Sequence, residues 1–122
     1  NVTLIMAHIG EPDAIDAAIR VAKRRKNVYI DTASVQLSTL KKALKEIDPD
    51  KILMGTDAPW GDFSLSVDLV KKATNNAEIQ QKILGDNIIR VLNWDRKWIQ
   101  IKKTHFGIDD YYGVADQSFR LG

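Results

Sequence analysis

Lys51-Ile52-Leu53-Met54-Gly55-Thr56-Asp57-Ala58-Pro59-Trp60-Gly61-Asp62 runs from apolar residues into a carboxylate and then breaks at Pro59. Its reading as a buried strand that delivers Asp57 to a loop decides the fold, because two earlier segments repeat it. Thr3-Leu4-Ile5-Met6-Ala7-His8 and Asn27-Val28-Tyr29-Ile30-Asp31-Thr32 are also short, mostly continuous apolar runs, and the three start at residues 3, 27 and 51, 24 residues apart each time. Continuous rather than alternating apolar character is what a strand covered on both faces requires, as in a parallel sheet.

Helical spacing follows each run. Pro12 is expected at an early helical position, ahead of Ile15, Ala18, Ile19 and Ala22 on one face. Leu37, Leu40, Leu44 and Ile47 repeat the pattern, and Asp48-Pro49-Asp50 stops that helix because the residue before proline avoids the helical region. After the third run, Ser64 or Ser66 is expected to cap a helix through Leu69, Val70 and Ala73, and Asn76 to cap another carrying Ile79, Ile83 and Leu84. Gly85 is expected as a break and Asp86 as the cap of a last turn through Ile88, Ile89, Val91 and Leu92. The order β-α-β-α-β-α predicts right-handed crossovers, a parallel sheet with helices outside it, and two unpaired sheet edges.

Composition fits a folded chain of this class. In 122 residues, 44% are hydrophobic and 28% charged, and 18 Lys+Arg against 16 Asp+Glu leave a net charge of +2, which indicates neither disorder nor a nucleic-acid surface. The one basic cluster, Lys23 to Lys26, sits where a helix should end and suits its dipole, with no aromatic residue interleaved. The chain has no cysteine, which excludes disulfides and thiolate ligands and leaves His, Asp and Glu as strong metal donors. No apolar run approaches the roughly 18 residues of a membrane span and no signal peptide is evident, so a cytoplasmic setting is expected. The missing initiator Met suggests that the chain begins inside something longer.

Ligands of parallel α/β folds bind beyond the carboxyl ends of the strands. Here those ends bring His8, Thr32, Ser34 and Asp57 toward one space. Singly, such a histidine is usually structural and such an aspartate often an N-cap. Jointly, an imidazole and a carboxylate form both a metal-donor pair and an acid–base pair.

The segments LIMAHIG, NVYIDTAS, KILMGTDAPWGD and KILGDNIIRVLN resemble the last three βα units, those of strands 6 to 8, of the amidohydrolase superfamily, in its TIM-barrel branch of metal-dependent hydrolases and decarboxylases. The resemblance implies an α/β fold that is the C-terminal portion of a (β/α)8 barrel over residues 1–94, with residues 95–122 as a C-terminal extension. It implies that Asp57 binds a divalent metal, zinc or manganese, and contacts the attacking water, and that His8 is a general acid/base or a second metal donor. Thr32, Ser34 and Trp60 are then substrate-side residues. A small carboxylated or cyclic substrate is implied, undergoing metal-assisted hydrolysis or nonoxidative decarboxylation. The family's His-x-His at the first strand and its histidine at the fifth are not in this chain, and His105 lies in the tail. About three-eighths of a barrel of about 250 residues is present.

Two other readings remain open at this point. One is a non-catalytic α/β module that self-associates through its sheet edges, a homo-oligomer where the first reading requires the N-terminal part of a barrel. The other is a small Rossmann-like ligand domain, although no Gly-rich phosphate loop is present. Neither nucleic acid nor membrane is expected as a partner.

Overall fold

β1 (Leu4–Met6), β2 (Val28–Asp31) and β3 (Ile52–Leu53) form a three-stranded parallel sheet in that order, in a computed structural model that describes residues 2–94. Leu4 pairs with Val28, Met6 with Ile30, and Ile30 in turn with Ile52. The chain divides into two compact units, Asn1–Leu92 and Asn93–Gly122. Trp98, His105, Phe106, Tyr111, Tyr112 and Phe119, expected in a C-terminal extension, lie outside the described residues.

The helices are α1 (Ile15–Arg24), α2 (Leu37–Glu46), α3 (Phe63–Ala73), α4 (Ala77–Gln81) and α5 (Asn87–Val91). The helical stripes read from the sequence supply the core: Ile19 and Ala22 of α1, Leu40 of α2 with Ile47 just after it, and Val70 of α3 pack with Ile30 and Ile52 of the sheet, joined by Ala43. Each isoleucine or leucine fully removed from water here contributes about 1.5–3 kcal/mol. Lys23 and Arg24 occupy the last turn of α1, where the dipole favours them.

Several expectations are corrected. The strands are shorter than the apolar runs, and two-sided cover is lost toward β1: Ile52 and Leu53 of β3 are both buried, Val28 and Ile30 of β2 are buried with Tyr29 and Asp31 only partly so, and β1 leaves Leu4 and Ile5 about half exposed. Apolar continuity in the sequence therefore reports burial that these residues do not complete. Pro12 lies ahead of α1, in a turn, because the chain leaves β1 through left-handed His8 and Ile9 before it becomes helical. Asp62, not Ser64 or Ser66, caps α3, its Oδ1 accepting the Leu65 N–H at 3.0 Å; a carboxylate one residue before the helix outcompetes hydroxyls inside it. Asn76 caps α4 as expected, accepting from Glu78 and Ile79. Gly85 breaks nothing: it lies in a wide helical turn, Lys82–Asp86, that runs on into α5, and Asp86 accepts from Gln81 instead of capping.

The free edge of β3 is also closed. The Met54 N–H donates to the Ile83 carbonyl at 3.0 Å, and the Asn87 side-chain amide donates to the carbonyls of Ile52 and Pro49, each at 2.8 Å. The segment read as GDN in the sequence thus satisfies strand groups that would otherwise be orphaned. At the opposite end of the sheet, Lys51 donates its three ammonium protons to the carbonyls of Arg25, Lys26 and Val28 and sits 4.7 Å above the Tyr29 ring. Among the described residues no helix is long and apolar enough to cross a membrane.

Candidate active site at the strand ends

Three parallel strands that end side by side carry their next residues to one rim. The chain leaves β1 at His8, β2 at Thr32 to Ser34 and β3 at Gly55 to Asp57, and His8, Ser34 and Asp57 all adopt positive φ, at 59°, 51° and 59°. Left-handed backbone at a non-glycine residue costs on the order of 1–3 kcal/mol and clusters at functional sites. Its occurrence at the polar residue of all three exits sets this rim apart from the rest of the sheet.

The contacts across the rim are specific. Ser34 Oγ donates to Asp57 Oδ2 at 3.1 Å, joining the exits of β2 and β3. His8 Nδ1 lies 2.7 Å from the Ala33 carbonyl, joining those of β1 and β2. Since a carbonyl only accepts, neutral His8 carries its proton on Nδ1 and keeps the lone pair on Nε2. That hydrogen bond raises the His8 pKa above the ordinary histidine value; burial opposes it, and the charges of Asp57, Asp31 and Glu11 reinforce it.

Two glycines make room for Asp57. A Cβ on Gly55 would stand 3.0 Å from Ala33 Cβ and 3.2 Å from Asp31 Cγ, so glycine lets β3 leave the sheet against β2. A Cβ on Gly61 would stand 1.8 Å from the Thr56 carbonyl oxygen, so the loop closes only with glycine there. The N–H groups of Trp60 and Gly61 both donate to the Asp57 carbonyl at 2.9 Å, which ties the loop back on the carboxylate residue.

The remaining expected residues fall in different places. Thr32 is fully buried and its Oγ1 accepts the Gly55 N–H at 3.3 Å. Trp60 is 86% exposed on the loop. A recess of about 280 Å³ opens beside the rim between Thr32, Ser34, Thr56, Asp62, Ser66 and Leu69; His8 and Asp57 are not among its lining residues. Sequence reasoning missed Asp31 as a site residue. Its Oδ1 accepts the N–H groups of both His8 and Ala33 at 3.0 Å, and its position as the last residue of an apolar strand was the available signal.

The donor set is incomplete for a metal. Asp57 and His8 each offer one uncommitted donor, and no group of three or more His, Cys, Asp or Glu among the described residues is placed to hold an ion. Catalytic zinc takes three protein ligands, so these residues alone do not fit it.

The family described as Amidohydrolase matches residues 1–94. No curated protein matches the chain significantly. Solved structures do: 5-carboxyvanillate decarboxylase from Sphingomonas paucimobilis (17% identity, TM-score 0.59, 73% of this chain and 33% of that one); 2,6-dihydroxybenzoate decarboxylase with 2,6-dihydroxybenzoate (21%, 0.59, 75% and 34%); and a dihydroxybenzoic acid decarboxylase from a Polaromonas species with manganese and the inhibitor 2-nitroresorcinol (22%, 0.60, 77% and 35%). The chain spans about a third of the length of the structures it matches. At these identities the likeness shows the fold, an α/β stretch of parallel βα repeats belonging to a TIM barrel.

Proposed function

This chain belongs to the amidohydrolase family, and from that premise we propose that it supplies His8 and Asp57 to a metal-dependent enzyme that decarboxylates a small carboxylated cyclic substrate without an oxidant. The observation that carries the reading is the convergence of His8, Ser34 and Asp57 at three adjacent strand exits, tied by the Ser34–Asp57 hydrogen bond. Similarity to decarboxylases of hydroxylated benzoates favours decarboxylation over hydrolysis. A divalent ion, manganese or zinc, would need donors beyond the described residues.

The part played by this chain is proton delivery. Protonated His8, held through Nδ1 by Ala33, presents Nε2–H to the substrate carbon that bears the carboxylate. The carbon–carboxylate bond breaks, CO2 departs, and its electron pair takes the Nε2 proton to form a C–H bond. The charge of Asp57 favours the imidazolium this step consumes. Ser34 orients Asp57, and Trp60 provides a wall for the ring.

A non-catalytic, self-associating module is the second reading, favoured by the lack, among the described residues, of a third donor and of a strand paired to the outer edge of β1. CO2 release from hydroxylated benzoates by the complete gene product separates the two. His8→Ala and Asp57→Ala should each lower the rate by about 100-fold or more, the range in which general acids act; an inactive parent, or activity unchanged in both variants, sinks decarboxylation.

A further inference from the structure

We propose that Asp31 is a positioning residue that holds the backbone of His8 and, through the Ala33 peptide, fixes the His8 imidazole so that Nε2 is its reactive nitrogen. The bond from the Ala33 N–H to Asp31 Oδ1 is, alone, the local turn that aspartate makes with the residue two positions on. The same oxygen also accepts the N–H of His8, 23 residues away on a different strand exit. Ala33 then accepts from His8 Nδ1 through its carbonyl. Three hydrogen bonds therefore close a ring: His8 N–H to Asp31, Ala33 N–H to Asp31, and His8 Nδ1–H to Ala33.

Each member of the ring depends on the others. His8 sits at φ 59°, which a β1 exit would not adopt unaided. One carboxylate oxygen binding both amides ties that backbone to the peptide that accepts from the ring. A Cβ at Gly55 would stand 3.2 Å from Asp31 Cγ and 3.0 Å from Ala33 Cβ, so glycine there leaves the space that Asp31 and Ala33 occupy. Without Asp31 the Ala33 peptide and the His8 backbone lose their shared anchor, and the imidazole is free to exchange tautomers.

The test reads the ring nitrogens directly. Long-range ¹⁵N correlations of His8 are recorded in the full 122-residue chain carrying His105→Gln, which leaves one histidine, at a pH above its titration. The Nδ1–H form should dominate in the parent, lose its excess in Asp31→Ala, and persist in Asp31→Asn, whose amide oxygen accepts the same bonds. A dominant Nε2–H form in the parent, an unchanged ratio in folded Asp31→Ala, or loss of the form in Asp31→Asn overturns the assignment. Should Asp31→Ala fail to fold, couplings across the hydrogen bonds decide: signals from both the His8 and Ala33 amides to the Asp31 carboxyl carbon support it, and absence of either overturns it. The catalytic value of the arrangement rests on the proposed acid role of His8. Full activity in His8→Ala beside an Asp31-dependent tautomer would remove that role and leave the assignment standing.

Discussion

Ser34 Oγ and Asp57 Oδ2 stand 3.1 Å apart, the one side-chain-to-side-chain hydrogen bond that links two strand exits among the described residues. It spans two left-handed residues, so it fixes both the direction of the Asp57 carboxylate and the loop that carries it. A hydrogen bond to a charged group contributes roughly 1.5 kcal/mol at the lower, exposed end of its range. Ser34→Ala should therefore cost about tenfold in the rate of the proposed decarboxylation. Ser34→Gly should lose the same activity yet melt no lower than Ser34→Ala, because glycine takes positive φ without strain. Rates and thermal melts of the pair check this.

Asn87 is 1% exposed and donates to two carbonyls, those of Ile52 and Pro49. Asn87→Ala leaves a buried strand carbonyl without its donor, at a cost of about 1–3 kcal/mol. Asn87→Asp should be no milder, since a carboxylate cannot donate. Equilibrium denaturation in urea measures both, and wild-type stability in either variant would contradict the closure of the β3 edge.

Asp50 gives the fold a response to acid. The bond from Lys82 is the largest single cause holding its carboxyl below the usual range, Arg90 adds to it, and burial opposes both. Lys82 Nζ stands 3.1 Å from Oδ1 and Arg90 Nη1 2.9 Å from Oδ2. A depressed carboxylate stabilises the fold above its unfolded pKa, and that stability is lost as pH falls through the lower folded value. Asp50→Asn should therefore lower the melting temperature at neutral pH and flatten its decline below the ordinary aspartate range. Melts across acidic pH test the sign.

His8 titrates in the opposite sense. Its raised pKa means that the imidazolium stabilises the folded state below the ordinary histidine value, and that this is lost as pH rises through the folded one. In the proposed role of proton donor it should give a rate that falls with rising pH, with a midpoint above the ordinary value. Asp57→Asn, by removing a supporting charge, should move the His8 midpoint down in an NMR titration. No movement would detach Asp57 from His8.

Gly61 cannot carry a side chain without displacing Thr56, as its Cβ would fall 1.8 Å from the Thr56 carbonyl. Gly61→Ala should leave the core amides of β2 protected in hydrogen exchange while those of Ala58, Trp60 and Gly61 lose protection. Activity should fall with the second effect alone.

The sequence by itself determined the βα repeat, the helical faces, the cap at Asn76 and the rim residues His8, Ser34 and Asp57. Those features are written in local periodicity and in the 24-residue spacing, which a strand-and-helix unit imposes on the chain. It also carried the segment GDN, but not its purpose, because Asn87 lies 35 positions along the chain from the Ile52 it meets. Tertiary structure alone decided that Asp31 joins two strand exits, that Lys51 secures the loop before β2, and that Thr32 turns inward to Gly55. Each of these depends on a backbone N–H or carbonyl from a distant strand. Every residue type carries the same backbone groups, so only the folded register says which of them a side chain will reach.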